Sequence, residues 1–200
     1  MIKLIQVIVI FILVNNTFAL AADNLQAYKA LQNKDYDKAL FYLSYEANLG
    51  DDKAQYNLGI MYKNGLGVPV DKNEAFAWLF LSAEQGNTLA NYALGHAYYK
   101  GEGITLNYQL AFKAYKTAVL LGHPVAKINM GNMYFYGFGV KKNYTKAYLL
   151  WRLAEDLNID GARQNIEMIQ EKMNNNEKNN SLRIYQNCMK ISLYNCLKDN

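Results

Sequence analysis

Residues 51–86 read DDKAQYNLGIMYKNGLGVPVDKNEAFAWLFLSAEQG, residues 87–122 read NTLANYALGHAYYKGEGITLNYQLAFKAYKTAVLLG, and residues 123–158 read HPVAKINMGNMYFYGFGVKKNYTKAYLLWRLAEDLN. These are three copies of one 36-residue pattern, laid end to end without an insertion. Ala54, Leu58-Gly59, Tyr62, Gly65-x-Gly67-Val68 and Ala75-Phe76 recur as Ala90, Leu94-Gly95, Tyr98, Gly101-x-Gly103-Ile104 and Ala111-Phe112. They recur again as Ala126, Met130-Gly131, Tyr134, Gly137-x-Gly139-Val140 and Ala147-Tyr148. Self-similarity at this period indicates stacked supersecondary units, each burying its apolar face against the next.

Each copy predicts two helices. In the first copy, helix A covers about 52–64 and helix B about 72–85. Ala54, Leu58 and Tyr62 fall at i, i+4 and i+8, on one face of helix A. Gly59 sits in mid-helix, where glycine costs about 1 kcal/mol relative to alanine. Its return as Gly95 and Gly131 implies close approach of a partner helix. Gly65 falls where a left-handed residue closes helix A. Gly67 allows a second unusual backbone angle, and Val68 is expected to turn back into the core. Asp71, Asn107 and Asn143 share one column and suit the N-cap of helix B. Ala75, Ala111 and Ala147 permit close helix contact, while Trp78, Tyr115 and Trp151 supply bulk. Gly86, Gly122 and Asn158 suit the residue just past helix B. The recurrent Tyr62, Tyr98 and Tyr134 read as core.

The flanks are weaker versions of the same theme. Residues 23–50 read as a shortened capping helix pair, Asp23–Asn33 and Asp35–Leu49, joined at Asn33-Lys34-Asp35 and lacking the Gly-x-Gly loop. Residues 159–200 begin a degenerate copy in which Ala162 and Ile166 hold their columns but Glu167 replaces the mid-helix glycine. The tract 174–180 reads as a polar connecting loop, with the second helix resuming at Ser181–Cys188.

Residues 1–22 have a different character. Lys3 precedes the apolar run Leu4–Val14, and Ala19-Leu20-Ala21 follows as a cleavage site, which is the anatomy of a signal peptide. The run of 11 falls short of the roughly 20 residues that span a bilayer, so no membrane span is expected after cleavage following Ala21 or Ala22. An exported protein, periplasmic or secreted, is the expectation. The processed chain keeps 20 Lys and Arg against 17 Asp and Glu. This mild charge is dispersed along the chain and does not form the basic cluster that a nucleic-acid face requires.

Cys188 and Cys196 are the two cysteines, and in an exported chain an even number favours one disulfide. In one continuous helix their Cα atoms would lie about 12 Å apart, beyond the roughly 4.4–6.8 Å that a disulfide spans. The bridge therefore requires a turn between them. The repeat register supplies one, with Cys188 in the column of Ala83 and Cys196 in that of Asn91.

The series Ala54, Leu58-Gly59, Tyr62, Gly65-x-Gly67-Val68, Ala75, Trp78, Ala83 and Gly86 resembles the Sel1-like repeat, a relative of the tetratricopeptide repeat. The resemblance extends over residues 22–158. It implies an all-α fold, a right-handed α-solenoid of stacked antiparallel helix pairs, whose surfaces bind proteins or peptides without a cofactor. The Cys-x7-Cys spacing is similar to that of secreted cysteine-rich Sel1-type bacterial proteins, where the pair recurs in every repeat; here it occurs once. Some of those proteins are weak β-lactamases or penicillin binders, so a cell-wall or β-lactam-binding role, or a weak hydrolase, is the alternative.

The residues offer little for such chemistry. Ser44, Ser82, Ser181 and Ser192 lack a Lys three residues on, and Ser-Asp-Asn and Lys-Thr-Gly are absent. His96 and His123 occupy different columns and read as surface or capping residues, with a His96 that faces a groove beside a Glu or Asp as the alternative; a metal site needs three or four converging ligands. No catalytic residue and no metal ligand is assigned. Candidate partner-binding residues come from helix-A columns where the copies differ. They are Asn57, Ile60 and Lys63, then His96 and Tyr99, then Asn129, Asn132, Phe135 and Tyr136. On a concave helix-A face, amides would bond a peptide backbone and aromatics would give contact area.

Overall fold

The computed structural model describes residues 25–191. The signal peptide read at 1–22, the first two residues of the capping pair, and Cys196 lie outside that range. The described residues divide into two compact units, one ending at Asn87 and the other beginning at Thr88.

In the first unit, α1 spans 25–32, α2 is Tyr36–Asn48, α3 is Asp52–Asn64 and α4 is Lys72–Glu84. The turn between α1 and α2 places Lys34 at φ 58°. Helix α2 packs on α3, and α3 on α4, around Ala39, Leu43, Ala54, Leu58 and Met61. In the second unit, α5 is Thr88–Lys100, α6 is Tyr108–Leu120, α7 is Ala126–Tyr136 and α8 is Tyr144–Glu155. Helix α9 is Ala162–Gln170 and α10 is Asn175–Cys188. Successive helices from α5 to α9 pack on one another, and α10 packs on α8. Their core centres on Tyr115, Met130, Met133, Leu150, Trp151 and Ile169.

The recurring residues have the roles their columns implied. The side chains of Asp71, Asn107 and Asn143 each accept a backbone N–H in the first turn of α4, α6 and α8. The backbone N–H of each cap residue donates to the carbonyl of the repeated tyrosine, Tyr62, Tyr98 or Tyr134, at 2.9–3.0 Å. The tyrosine column therefore closes the loop as well as filling the core. The second loop glycine brings the loop against the preceding helix B. A Cβ on Gly139 would come within 2.7 Å of the Gln109 backbone nitrogen and closer still to the Tyr108 carbonyl. Val140 packs against the core as expected, whereas Ile104 is exposed.

The mid-helix glycines face one specific side chain each. A Cβ on Gly59 would lie 2.8 Å from Leu79 Cγ; on Gly95, 2.5 Å from Tyr115 Cδ1; on Gly131, 2.4 Å from Trp151 Nε1. Leu79, Tyr115 and Trp151 are separated by 36 residues each, so they form one column. The bulk expected at Trp78 belongs to its neighbour, because Leu79 is the buried residue over the glycine and Trp78 packs at the edge of the core.

The tract 174–180 is a second correction. It is not a loop but the N-cap and opening turns of α10. Asn174 accepts from the Glu177 backbone N–H, and the Glu177 carboxylate accepts from the Asn174 backbone N–H, both at 2.9 Å. This capping box satisfies two of the orphan donors at the helix start, which offsets the low helix propensity of the asparagines that follow.

Candidate functional site

Helix α5 presents Tyr92, His96, Tyr99 and Lys100 along one face at helical spacing. Helix α6 contributes Tyr115, seated over Gly95, and α7 contributes Asn129 and Asn132. These seven side chains line a cavity of about 250 Å³ within the second unit. The missing side chain at Gly95 is what lets Tyr115 sit this close to α5.

Asn129 holds the polar floor together. Its Nδ2 donates to the Tyr92 hydroxyl at 3.5 Å, and its side chain also hydrogen-bonds Tyr115. Burial pushes the Tyr115 hydroxyl well above the usual tyrosine value, and nearby Tyr92 pushes it the same way, while the Asn129 bond draws it partly back. Tyr115 therefore stays a neutral hydroxyl at any physiological pH. Behind it, Tyr92 stacks on His123 with ring centres 4.1 Å apart. His123 Nδ1 accepts the Ala126 N–H at 3.2 Å and so caps α7. Burial, and then the charge of Lys127, lower the His123 pKa.

The cavity mouth is charged and aromatic. His96 Nδ1 lies 3.4 Å from Glu102 Oε2, so this histidine faces a groove beside an acid and is not a plain surface residue. Lys100 Nζ sits 5.6 Å from the centre of the Tyr99 ring. Tyr99 also meets Tyr108 at 5.3 Å and Phe138 at 6.1 Å, and Phe138 stacks on Tyr108 at 4.8 Å. Burial first, then Tyr108 and Tyr136, raise the Tyr99 pKa.

Four of the nine candidate residues, His96, Tyr99, Asn129 and Asn132, meet at this cavity. Tyr136 is 52% exposed and stacks on Phe138 at 5.4 Å. Phe135 is only 6% exposed and packs on Tyr144 and Trp151. Buried in this way, it is not placed to meet a partner. Asn57, Ile60 and Lys63 lie on α3 in the first unit, where Asn57 lines a different cavity of about 400 Å³ with Tyr28, Glu46, Asp51 and Lys53. Column variation passed over Tyr92 and Tyr115, which look like core by spacing, and Glu102, hidden as the middle residue of its Gly-x-Gly. Lys100 was visible in the varying column Asn64/Lys100/Tyr136. Among the described residues, no three His, Cys, Asp or Glu side chains converge to hold a metal ion, and no helix is long and apolar enough to cross a membrane.

The Sel1 repeat model matches residues 28–51, 52–87, 88–123 and 124–159. The chain belongs to the Sel1 repeat family. The first Sel1 match falls on the shortened pair, so that segment is a repeat in its own right. Sel1 repeats generally serve as protein-interaction modules. The chain is similar to the crystal structure of a protective antigen present in uropathogenic Escherichia coli strains, which displays an SLR fold. That likeness has 28% identity and a TM-score of 0.72 over 76% of this chain and 33% of that one. It is also similar to a Sel1 repeat protein from Oxalobacter formigenes, with 32% identity and a TM-score of 0.68 over 72% of this chain and 59% of that one. The chain thus spans a third to three fifths of the length of these relatives. No curated protein sequence matches it significantly. The structure is an all-α Sel1 repeat fold, with helix pairs stacked within each unit.

Proposed function

We propose that this Sel1 repeat protein is an exported scaffold that holds a protein or peptide partner on a concave helix-A face, with the α5–α7 cavity as the contact centre. The supporting observation is the convergence of His96, Tyr99, Asn129 and Asn132 with Tyr92, Lys100 and Tyr115 around one opening. Rigid tyrosine rings give contact area at low entropic cost, carboxamides bond a peptide backbone, and the mouth carries charge. Export rests on the signal-peptide anatomy of residues 1–22, and a Cys188–Cys196 disulfide would then close the C-terminal end.

The test is partner recovery from the cell envelope of the producing organism, comparing wild type with Asn129→Ala and Tyr99→Ala. A specific partner retained by wild type and lost by both variants is expected. Equal recovery by all three proteins would overturn the concave-face reading. The mature N-terminus should be Ala22 or Asp23, and an intact Met1 would refute export. Thiol alkylation should add two groups only after reduction, and labelling without reductant would refute the disulfide.

A further inference from the structure

The net charge of the chain is mild, but it is not even. Residues 23–86 hold six lysines against nine acidic residues, whereas residues 87–151 hold seven lysines and one acid, Glu102. Three of those seven, Lys100, Lys141 and Lys142, stand at the end of α5 and in the loop after α7, and all three are exposed. Lys100 lines the α5–α7 cavity. The same columns as Lys141-Lys142 read Pro69-Val70 in the first copy and Thr105-Leu106 in the second, so the lysine pair belongs to the third copy alone.

Phe138 ties that loop to the cavity. Its ring meets Tyr99, a lining residue, at 6.1 Å, and stacks with both Tyr108 and Tyr136, at 4.8 and 5.4 Å. An aromatic ridge therefore runs from the cavity into the loop that carries Lys141 and Lys142. The one acid of the region faces His96, with Oε2 3.4 Å from Nδ1, and is not among the side chains that line the cavity. A carboxylate meeting a single exposed lysine gains a few-fold in affinity at most, but several in one patch add up and select the sign of the partner. Lysines among aromatic rings also suit single-stranded nucleic acid. Here Phe138 already stacks with two neighbours, and three lysines make a short patch that does not track a phosphate backbone. The carboxamides of Asn129 and Asn132 offer both donors and acceptors, which match the N–H and C=O groups of a peptide.

Resting on the partner-binding reading above, we propose that the partner held here is an acidic peptide segment, its backbone on Asn129 and Asn132 and its Asp or Glu side chains paired to Lys100, Lys141 and Lys142. The probe is a fluorescein-labelled peptide that repeats Glu-Phe-Gly four times, titrated with the full chain and read by fluorescence anisotropy. Peptides that repeat Gln-Phe-Gly and Lys-Phe-Gly, and an oligothymidylate of equal length, are the controls. The Glu peptide should bind about ten-fold more tightly than the Gln peptide, and the Lys peptide most weakly. The triple variant Lys100→Gln/Lys141→Gln/Lys142→Gln should erase the preference for Glu over Gln. Lys190→Gln, which removes an exposed lysine beyond α10, should keep it, and Glu102→Gln should keep or strengthen it. Equal binding of the Glu and Gln peptides, a preference that survives the triple variant or is lost with Lys190→Gln or Glu102→Gln, tighter binding of the oligothymidylate, or a dimer of the chain that the triple variant breaks would each overturn the proposal. An envelope partner lost on Asn129→Ala, while the Glu and Gln peptides bind alike, would overturn the acidic assignment and leave the partner-binding reading in place. A lysine-dependent preference for Glu with partner recovery unchanged by Asn129→Ala would do the reverse.

Discussion

Replacing Gly131 by alanine should destabilise the second unit, although the helix itself favours alanine. In an exposed mid-helix position the exchange stabilises by about 1 kcal/mol. Here the new Cβ would lie 2.4 Å from Trp151 Nε1 and 2.7 Å from Cδ1. Trp151 is fully buried and its indole N–H donates to the Ile128 carbonyl at 3.2 Å. A rigid indole in a packed core cannot swing aside, so α7 and α8 must part or the hydrogen bond must break. Overpacking of this kind costs roughly 1–3 kcal/mol, and losing the bond adds about 1 kcal/mol. Set against the propensity gain, the net loss is about 1–3 kcal/mol, on the order of a 10 °C fall in melting temperature. Urea unfolding followed by far-UV circular dichroism and Trp fluorescence reads this directly. Placing Gly131→Ala in a Trp151→Leu background recreates the leucine of the first copy, where the same substitution should cost less than it does beneath the indole. The order of cost should be Gly131 and Gly95 first, then Gly59, whose neighbour Leu79 can shift more easily. A Gly131→Ala protein as stable as wild type would refute the idea that the glycine exists to seat the indole.

Other expectations are narrower. His123 has a lowered pKa, so below about pH 6.5 the unfolded chain takes up a proton that the folded chain resists. Its contribution to stability is complete above that pH and declines as the pH falls through the folded value, at no more than about 1.4 kcal/mol per pH unit. His123→Asn, which borrows the residue found at position 87 of the same column, should flatten that slope between pH 6.5 and 5 in pH-dependent urea unfolding. Asn174→Ala removes the α10 cap and should cost about 1 kcal/mol, seen as faster proteolysis near residues 174–180; unaltered cleavage would contradict the capping box.

Most of the scaffold could be read before any coordinates, because its rules are local. The N-caps at Asp71, Asn107 and Asn143, the loop glycines and the helix limits each depend on a few adjacent residues. What failed depended on three-dimensional neighbours. Phe135 and Tyr136 are adjacent and both vary between copies, yet one is core and the other exposed, because only packing against Trp151 and Tyr144 separates them. The asparagine tract at 174–180 has a loop composition, and one reciprocal cap at its first residue makes it helical. Tyr115 was read only as core bulk and Tyr92 was not singled out, because a tyrosine at helical spacing looks the same whether its hydroxyl faces a cavity or a backbone. Glu102 escaped because its pairing with His96 depends on how the loop folds back over α5. His96 was singled out because its column carries Ile60 and Asn132 in the other copies, and Asn129 because its column, with Asn57 and Ala93, is small and polar.

The Leu79, Tyr115 and Trp151 column bears on how such an array can diverge. Most complementary core contacts tie two side chains together, so that changing one requires a matching change in the other. A glycine has no side chain to match. Opposite Gly59, Gly95 and Gly131 the occupant grows from an isobutyl group to a phenol to an indole while the receiving residue stays glycine. A duplicated copy can therefore exchange its filler in a single mutational step and remain in register. It is then free to acquire a new surface, as the second copy has done by using its phenol as the floor of a cavity.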